Sequence, residues 1–438
     1  MTFYLCIGAA LLGCILTFFG DGTKYSLRIL LGVTVLDLIG LCWGFATWDQ
    51  TQSLYFLDDY FVSDPTSRLF LILIIFVLLG FTPYSINRVR INQLAARQIG
   101  RFVRLVLIFL ILCMLAVFSN NLILMWLALE GTTLVAVPLI YHQRGKASVR
   151  AAWTYLIFST VGLSLTFLGL IMLEHAIHLQ LGEGSPTFFL SELKLLNLHR
   201  DIWTDLAIFF SILGLGTKLG LAPMYTWLPE TYDNAPPSAT VLLAAIQFNC
   251  AIVMLFRFIP ILRAINPGLL NSLLITIGLL SVVASSVNII VTKNYKRLIS
   301  YASINHAGMI AIGLGTGKNA NYGVILYVLS NALVKAILFF AAGNIKARFS
   351  TKNMPDLQGL IKDMPYSGLF LMIGIFALLG FAPFGSFIGE LMILSSVIET
   401  GNWFIFITLC FLIVITFVAT GRSVFPMIWG APKLEAHE

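Results

Sequence analysis

Four ionisable side chains lie deep within apolar stretches of this sequence: Glu130, Lys218, Lys335 and Glu390. A charge at the centre of a lipid bilayer costs about 3 kcal/mol or more, so such residues are retained where they have a partner or a task. Burial favours the neutral form of an acid or a base, and a nearby opposite charge favours the charged form. Separating Glu130 from Lys218 would therefore release the lysine proton, and rejoining them would favour its recapture. An alternating set of acids and bases is the chemistry of a proton path.

Neutral polar side chains could extend such a path through bound water. His306 lies in the stretch LISYASINHAGMI, and Asn249 and Asn331 lie in two other apolar stretches. Two alternatives stay open. Glu130 and Lys218 could form a static ion pair that only fixes packing, and a lone histidine often only donates a hydrogen bond between helices.

The elements that must position these residues are apolar helices. Of the 438 residues, 58% are hydrophobic and 11% are charged, whereas about 25% of the residues of soluble domains are charged. A helix needs about 20 apolar residues to cross the hydrocarbon core, and the apolar runs here are continuous, unlike the alternating strands of a barrel. The predicted fold class is all-α, a polytopic membrane protein with about thirteen transmembrane helices. The predicted segments are 2–19, 27–47, 68–87, 102–118, 120–141, 151–174, 203–228, 238–262, 267–291, 299–315, 319–345, 366–398 and 403–427.

Charged residues in the loops predict the orientation. Basic residues concentrate in the odd-numbered loops, for example Arg144 and Lys293, whereas the second loop is acidic and contains Asp49 and Asp64. By the positive-inside rule the N-terminus lies outside and, after thirteen spans, the C-terminus lies in the cytoplasm near Lys433. We expect a multi-pass protein of the inner (plasma) membrane or of an equivalent energy-converting membrane.

Two of the predicted spans carry a proline in a matching motif. Span seven contains GLAP, which ends at Pro223, and span twelve contains GFAP, which ends at Pro383; a glutamate follows each proline by seven residues. Proline removes a backbone donor and clashes with the preceding turn, so both spans should be broken or kinked there. Broken helices in matching positions of two halves indicate an inverted repeat. Two unrelated proline kinks are the alternative.

The repeat predicts how the chain is divided. Spans four to eight and spans nine to thirteen each number five, and an odd number of crossings inverts the second set relative to the first. We therefore expect three supporting helices over residues 1–100, a proton half-channel over 101–262 and its inverted copy over 263–438. The backbone groups freed by a broken helix need a protein-lined or water-filled cavity, which suits an ion path.

The cysteines and glycines of the sequence do not form a pattern typical of a redox, metal or nucleotide site. The six cysteines lie in apolar stretches without a CxxC pair, and no dinucleotide or phosphate-binding glycine motif is present. We therefore expect no cofactor, no metal and, because the basic loops lack interleaved aromatic residues, no nucleic acid. Glu230 and Asp233 are expected to cap a helix or lie in a loop. The basic stretch Lys293–Arg297 is expected mainly to set orientation, and feeding or gating the cytoplasmic side of the path is the alternative.

Five stretches, spread from about residue 120 to 395, resemble a known family. The family comprises the antiporter-like, proton-translocating membrane subunits of respiratory complex I, of membrane-bound hydrogenase (hydrogenase-4) and formate hydrogenlyase complexes, and of multisubunit cation/proton antiporters. WLPE followed by NAPPSA, and KRLISYASINH, are the most specific signals, and the order and spacing of all five match. The stretches are MWLALEGTTL, TKLGLAPMYTWLPETYDNAPPSATVLLA, NYKRLISYASINHAGMI, NALVKAILFFAAGNI and GFAPFGSFIGELMIL.

The resemblance implies roles for individual residues. Glu130 looks like the family's span-five glutamate, Lys218 like its paired span-seven lysine, and Lys335 like the lysine of the central axis. Glu390 looks like the terminal acid that some members have where others have lysine. His306 corresponds to the histidine after the KRL stretch.

The chain also departs from the family pattern. Asn249 stands where many members have lysine or histidine, and in this respect the chain resembles the hydrogenase-4 type more than the complex I type. Asn331 stands where many members have a histidine four residues before the lysine. Members usually have fourteen or more spans. The thirteen spans predicted here do not include the lateral helix that braces neighbouring subunits.

The function expected from these features is proton translocation within a larger complex. The partners would be other membrane subunits and a peripheral redox or transport module, because the chain has no site of its own for a fuel. One alternative is a subunit of a cation/proton antiporter or of an inorganic-carbon uptake complex. Another, from a different class, is a structural anchor for a peripheral enzyme.

Overall fold

A computed structural model describes residues 2–19, 23–48, 53–92, 96–142, 145–182, 188–317 and 320–431. Asp49, Arg144 and Lys433, which entered the orientation argument, lie outside the described residues. The helices in chain order are α1 (Thr2–Leu16), α2 (Thr23–Thr47), α3 (Pro65–Asn92), α4 (Ala96–Phe118), α5 (Leu122–Ile140), α6 (Lys146–Leu181), α7 (Leu190–Leu193), α8 (Ile202–Leu219), α9 (Trp227–Asn234), α10 (Pro237–Val241), α11 (Phe248–Ile265), α12 (Pro267–Val291), α13 (Tyr295–Thr316), α14 (Asn321–Phe349), α15 (Leu360–Asp363), α16 (Pro365–Leu378), α17 (Gly385–Glu399) and α18 (Trp403–Trp429).

The chain is mostly helical, as predicted, with one short antiparallel hairpin between α2 and α3 that the sequence did not predict. Strand β1 (Leu54–Phe56) pairs with β2 (Phe61–Ser63), and Tyr55 lies opposite Val62. These strands are built mainly from aromatic and β-branched residues, which favour extended backbone. Elsewhere the described residues form helices and the loops between them.

Eleven helical segments of the described chain are long and apolar enough to cross a membrane. They coincide, in order, with eleven of the thirteen predicted spans. The other two predicted spans, 2–19 and 366–398, fall on shorter helices: α1 with 15 residues, and α16 with 14 followed by α17. The chain is therefore a multi-pass membrane protein, and the count of thirteen crossings stays a prediction.

Predicted spans seven and twelve each contain two helices separated by a non-helical segment. In span seven, α8 ends at Leu219 and α9 begins at Trp227, so Pro223 lies between them. In span twelve, α16 ends at Leu378 and α17 begins at Gly385, with Pro383 in the gap. Both prolines thus sit where no intrahelical hydrogen bond is needed from them.

The helices before these two breaks end in the same way. Gly220 follows α8 with φ 75°, and Gly380 follows the end of α16 with φ 68°. The next N–H group, of Leu221 or Phe381, donates to the carbonyl five residues earlier, at 2.8 Å and 3.1 Å. A left-handed glycine with this six-to-one bond is a Schellman-type C-terminus. The GLAP and GFAP motifs therefore produce the same backbone geometry.

The chain forms two compact units. The first unit comprises Met1–Leu215 and Ile246–Asn266, and the second comprises Gly216–Ala245 and Pro267–Glu438. The three segments predicted from the sequence, 1–100, 101–262 and 263–438, stay a prediction.

Helices α12 and α13 of the second unit pack closely through glycines. A Cβ atom on Gly308 would lie 2.7 Å from the carbonyl oxygen of Gly278, closer than real Cβ contacts come. Small residues allow helix backbones to approach in this way within membranes. The contact fixes the part of α13 that carries His306.

Candidate functional site

Helix α14 carries three buried polar side chains on one face. Tyr327, Asn331 and Lys335 are spaced by four residues, which places them on the same side of the helix, and their exposed fractions are 2%, 1% and 0%. Asn331 Oδ1 lies 3.1 Å from Nδ1 of His306 on α13. The Tyr327 ring packs against this imidazole, with the ring centroids 5.0 Å apart. The second unit therefore brings Lys335, Asn331 and His306 into one cluster.

The hydrogen bonds of His306 determine where its ring carries a hydrogen. Its Nε2 lies 3.0 Å from the Leu378 carbonyl oxygen, which can only accept, so Nε2 is the donor. A neutral imidazole then accepts at Nδ1 and needs the N–H of the Asn331 amide, whereas a protonated imidazole donates there and needs the amide oxygen. Rotation of one amide therefore accommodates both charge states of His306.

Glu390 lies on α17, soon after the second break, with its side chain half-buried. A cavity of about 20 Å³ lies between it and His306, with Tyr327 and Thr416 also in its wall. This volume is enough for about one water molecule. A Cβ atom on Gly380 would lie 2.5 Å from Glu390 Oε2, so the glycine at the break leaves room for the carboxyl group. His306 and Glu390 thus face one small polar cavity.

Lys218 lies in the last turn of α8, directly before the first break, and is 4% exposed. The broken backbone has partners: Ser281 Oγ accepts from the Ala222 N–H at 2.8 Å, and Trp227 Nε1 donates to the Thr217 carbonyl at 3.0 Å. Within a bilayer an interrupted helix needs such partners. The negative end of the α8 dipole also favours a cation at this position.

The first unit holds Glu130, half-buried in α5, and Asn249, 1% exposed in α11. A buried hydrogen-bonded chain lies close to both in sequence. The Tyr155 hydroxyl donates to Gln247 Oε1 at 2.9 Å, and Gln247 Nε2 donates to Thr132 Oγ1 at 2.8 Å. Gln247 ends a π-helical turn, a feature that is frequent at functional sites. These three residues were not among those predicted from the sequence, although each is a polar residue in an apolar run.

The predicted path residues are thus divided between the units. Glu130 and Asn249 belong to the first unit, and Lys218, Lys335 and His306 belong to the second together with Asn331 and Glu390. The predicted pairing of Glu130 with Lys218 stays a prediction. Within the described ranges, no group of three or more His, Cys, Asp and Glu side chains is placed to hold a metal ion.

Asp233, expected to cap a helix or lie in a loop, is the centre of an ion-pair cluster in the second unit. Its carboxylate lies 2.7 Å from Lys352 Nζ and 3.2 Å from Arg297 Nε. Burial alone would raise the pKa of Asp233, but the hydrogen bond and charge of Lys352 outweigh it and hold that pKa below its usual range. Lys296, which the sequence assigned to an orientation signal, is 0% exposed and donates to the Asp233 carbonyl at 3.0 Å. The cluster ties α9 to the start of α13.

Two further buried ionisable residues were not predicted. Asp37 of α2 is 0% exposed and lies beside Cys6 of α1. Arg257 of α11 is 5% exposed and pairs with Asp64, the Nη2–Oδ1 distance being 2.9 Å. Each is a single charge in an apolar run, ILLGVTVLDLIGLCW or IVMLFRFIPIL. The criterion that selected Glu130 would therefore have found both.

A match to a known protein family covers most of the chain. Residues 119–416 match the family described as NADH:quinone oxidoreductase/Mrp antiporter, TM. The chain belongs to this family. The match covers more than half of the sequence and includes every predicted path residue and both broken helices, so the resemblance seen in the motifs is confirmed.

The chain is similar to two named relatives and one solved structure over most of its length. The hydrogenase-4 component F homolog of Methylacidiphilum infernorum is 31% identical over 388 residues, 84% of this chain and 81% of that protein. NADH-quinone oxidoreductase subunit N 2 of Chloroherpeton thalassium is 27% identical, covering 81% of this chain and 70% of its own length. A chain of an archaeal membrane-bound sulfane sulfur reductase has the same fold, with a TM-score of 0.86 at 22% identity over 98% of this chain and 87% of that one.

Proposed function

We propose that this protein is a proton-translocating membrane subunit of a multisubunit energy-converting complex. The observation that carries the proposal is the buried sequence of groups from Lys335 through Asn331 and His306 to the cavity beside Glu390. It contains a lysine with 0% exposure, an amide that fits both charge states of the imidazole, and an acid across a cavity one water wide. Lys335, His306 and Glu390 can each take up and release a proton, and Asn331 positions the imidazole. Membership of the family supports the same function.

The path would continue into the first unit. We propose that Glu130 and Lys218 form a pair whose separation releases a proton and whose rejoining recaptures it. Asn249, with the hydrogen-bonded chain beside it, would guide bound water. The breaks at Pro223 and Pro383 would supply backbone polar groups to the same cavities.

The proposed architecture is an inverted repeat. Two five-helix repeats, over 101–262 and 263–438, would follow three supporting helices over 1–100. The identical backbone geometry of the GLAP and GFAP breaks supports this arrangement. Thirteen crossings would place the N-terminus outside and the C-terminus in the cytoplasm of an inner (plasma) or equivalent energy-converting membrane.

The energy for transport would come from partners. The named relatives are components of hydrogenase-4 and NADH-quinone oxidoreductase, and we propose that this chain likewise works beside other membrane subunits and a peripheral redox or transport module. The chain itself would bind no redox cofactor and would contribute transport to an oxidoreductase complex.

Antiport is the second candidate, because the family description includes the Mrp antiporter. In that case a sodium or potassium ion would move against the proton, and a carboxylate such as Glu130 would coordinate it. A subunit of an inorganic-carbon uptake complex would use the same path with a different partner. A structural anchor, in contrast, would keep these charges fixed.

Lys335→Ala tests the proposal, with Arg348→Ala as the matched control on the exposed end of the same helix. Inverted membrane vesicles that contain the assembled complex would be energised by its own driving reaction, and acidification would be followed with a pH-sensitive dye. We expect Lys335→Ala to abolish acidification and Arg348→Ala to retain it. Native gel electrophoresis of the same vesicles checks that the complex has assembled.

Three results separate the alternatives. Normal acidification by the assembled Lys335→Ala complex would refute the proposed path and favour an anchor. A sodium pulse that dissipates an imposed pH gradient in wild-type vesicles, but not in Lys335→Ala vesicles given the same gradient, would establish antiport. Acidification unchanged by sodium in the wild type would favour proton translocation alone.

A further inference from the structure

A second and much larger cavity lies in the second unit, away from the path. Its volume is about 850 Å³, and its walls are the end of α12, the helix α18 and the segment around Met354 and Gln358. The path residues Lys335, His306 and Glu390 do not line it. The established family membership and the proposed function therefore leave it unexplained.

The wall provided by α18 is one continuous stripe. Its members recur every three to four residues from Val414 to Pro426, so they share a face of the helix. At about 1.5 Å of rise per residue the stripe is about 18 Å long. The stripe consists of Val414, Ile415, Val418, Ala419, Arg422, Ser423 and Pro426. The cavity is therefore an elongated groove rather than a round hole.

The groove has an apolar end and a basic end. Ser286 Oγ of α12 lies 3.0 Å from Thr416 Oγ1 of α18, which sets these two positions at the same level. Lys293 comes seven residues after Ser286, and Arg422 comes six residues after Thr416. Both cations are exposed lining residues, and neither belongs to an ion pair found among the described side chains.

We propose that this groove binds one anionic phospholipid. The phosphate would lie between Lys293 and Arg422, within reach of the hydroxyl groups of Thr292 and Ser423, which line the same end. An acyl chain would lie along the apolar stripe toward Val414. Basic pockets between transmembrane helices recognise anionic headgroups in this way, because two cations offset the phosphate charge at the membrane surface.

The charges of the groove favour a lipid over a helix of a partner. Its 850 Å³ falls within the roughly 300–1,000 Å³ of small-molecule sites. A single phosphate group can face both cations at once. A partner helix would need an acidic residue opposite each of the two cations.

The test measures lipid retained by the purified full-length chain with native mass spectrometry. Phosphatidylglycerol and phosphatidylcholine with identical acyl chains are the probes, so only the headgroup charge differs. The double variant Lys293→Gln/Arg422→Gln removes the basic end, and Arg348→Gln/Lys362→Gln removes two exposed cations that do not line the groove. Ala419→Trp fills the groove, and Ile407→Trp places the same side chain at an exposed position on α18 outside it.

We expect one phosphatidylglycerol per wild-type chain, retained roughly tenfold better than phosphatidylcholine. The Lys293→Gln/Arg422→Gln and Ala419→Trp variants should lose it, and both controls should keep it. Equal retention of the two lipids by the wild type, or wild-type retention by either groove variant, would overturn the proposal. The same is true if a photo-crosslinker at Val418 in the intact complex captures a partner subunit instead of lipid. Because no path residue is changed, failure of this proposal leaves the proton path unaffected.

Discussion

At the scale of single residues, the amide of Asn331 is the hydrogen-bonding partner of His306 in both of its charge states. It lies 3.1 Å from His306 Nδ1 and is 1% exposed, so bulk water cannot take its place. An amide can present either an acceptor or a donor, which a ring that changes charge requires. The same position is a histidine in many family members, and an imidazole can likewise act as a hydrogen-bond donor or acceptor.

Replacing Asn331 tests this role directly. Asn331→Leu keeps the size of the side chain but removes both hydrogen-bonding atoms. It should slow driven proton transport by roughly tenfold or more, because the His306 imidazole, a proton-transfer group, loses the partner that positions its Nδ1. Asn331→His should retain most of the transport. The measurement is the initial rate of vesicle acidification. Equal rates for the leucine and histidine variants would show that Asn331 only fills space.

Gly380 allows a second prediction at this scale. Alanine there would adopt φ 68° and place its Cβ 2.5 Å from Glu390 Oε2. We expect Gly380→Ala to displace the carboxyl group and reduce transport severalfold, in addition to the cost of about 1–2 kcal/mol for a left-handed residue.

Gly401 provides the matched control, since it has φ 73° but no atom within 4 Å of a Cβ. Gly401→Ala should therefore carry the backbone cost and leave transport intact. The readouts are the acidification rate and the thermal unfolding midpoint of each variant in detergent. A Gly380→Ala variant that loses stability to the same extent as Gly401→Ala but transports normally would contradict the prediction.

At the scale of secondary-structure elements, a buried ion pair fastens α3 to α11. Asp64 caps α3, accepting from the Ser67 N–H at 2.8 Å, and its carboxylate also pairs with Arg257. Arg257 donates in addition to the Ser119 carbonyl at the end of α4. Burial alone would raise the pKa of Asp64, but the charge of Arg257 and the hydrogen bonds of Ser67 outweigh it and lower that pKa.

Asp64→Asn should destabilise the protein at neutral pH by about 3–5 kcal/mol, because it leaves the Arg257 charge buried without its counterion. Asparagine caps a helix as well as aspartate does, so the cap itself survives. The folded-state pKa of Asp64 lies below the unfolded value of about 3.9. The contribution is therefore complete above that value and disappears as pH falls through the folded pKa.

Thermal unfolding in detergent at several pH values measures this effect. The difference between wild type and Asp64→Asn should be largest near pH 7 and should shrink as the pH falls below about 4. The variant Asp64→Asn/Arg257→Met should recover part of the loss, since it removes the unpaired charge. A difference independent of pH would show that the ion pair contributes nothing.

How much of this could be predicted from the sequence differs between the elements. The apolar runs predicted the helices well, because the length needed to cross a bilayer is fixed. The hairpin β1–β2 was missed, since three residues per strand give too short a pattern to recognise within a loop. The breaks were predictable because proline and glycine impose them locally.

The site was predictable only in part. A lone charge in an apolar run is visible in the sequence, so Lys335 and Glu390 were found, and Asp37 could have been. The contacts Tyr155–Gln247 and Asn331–His306 join residues 92 and 25 positions apart. No local pattern predicts such pairs, because they depend on how helices pack. The cluster around Asp233 was missed for the same reason.

At the scale of the whole molecule, the path residues are divided between two compact units, with Glu130 in the first and Lys335 in the second. Two arrangements of transport are compatible with this division. If a proton must use groups of both units in succession, the path is a series, and blocking either unit stops it. If each unit carried its own proton, the two routes would operate in parallel.

The proposed path requires that each proton use groups of both units in succession. Glu130→Gln removes the path acid of the first unit, and Lys335→Ala removes the central path base of the second unit. We expect each single variant to lose nearly all driven acidification, and the double variant to be no worse than either, because effects of groups acting as one unit are not additive. Acidification rates are normalised to the amount of assembled complex on native gels.

Parallel routes would give a different pattern, with roughly half of the rate left in each single variant and none in the double. The family fold does not decide between the two, because the proposed inverted repeat would supply one half-channel per unit in either case. The decision rests on whether the protons of the first unit must leave through the second. Only the second unit has a buried lysine, a histidine and an acid in one connected cluster among its described residues. The expected outcome is therefore complete loss in both single variants, with Glu390 as the common exit.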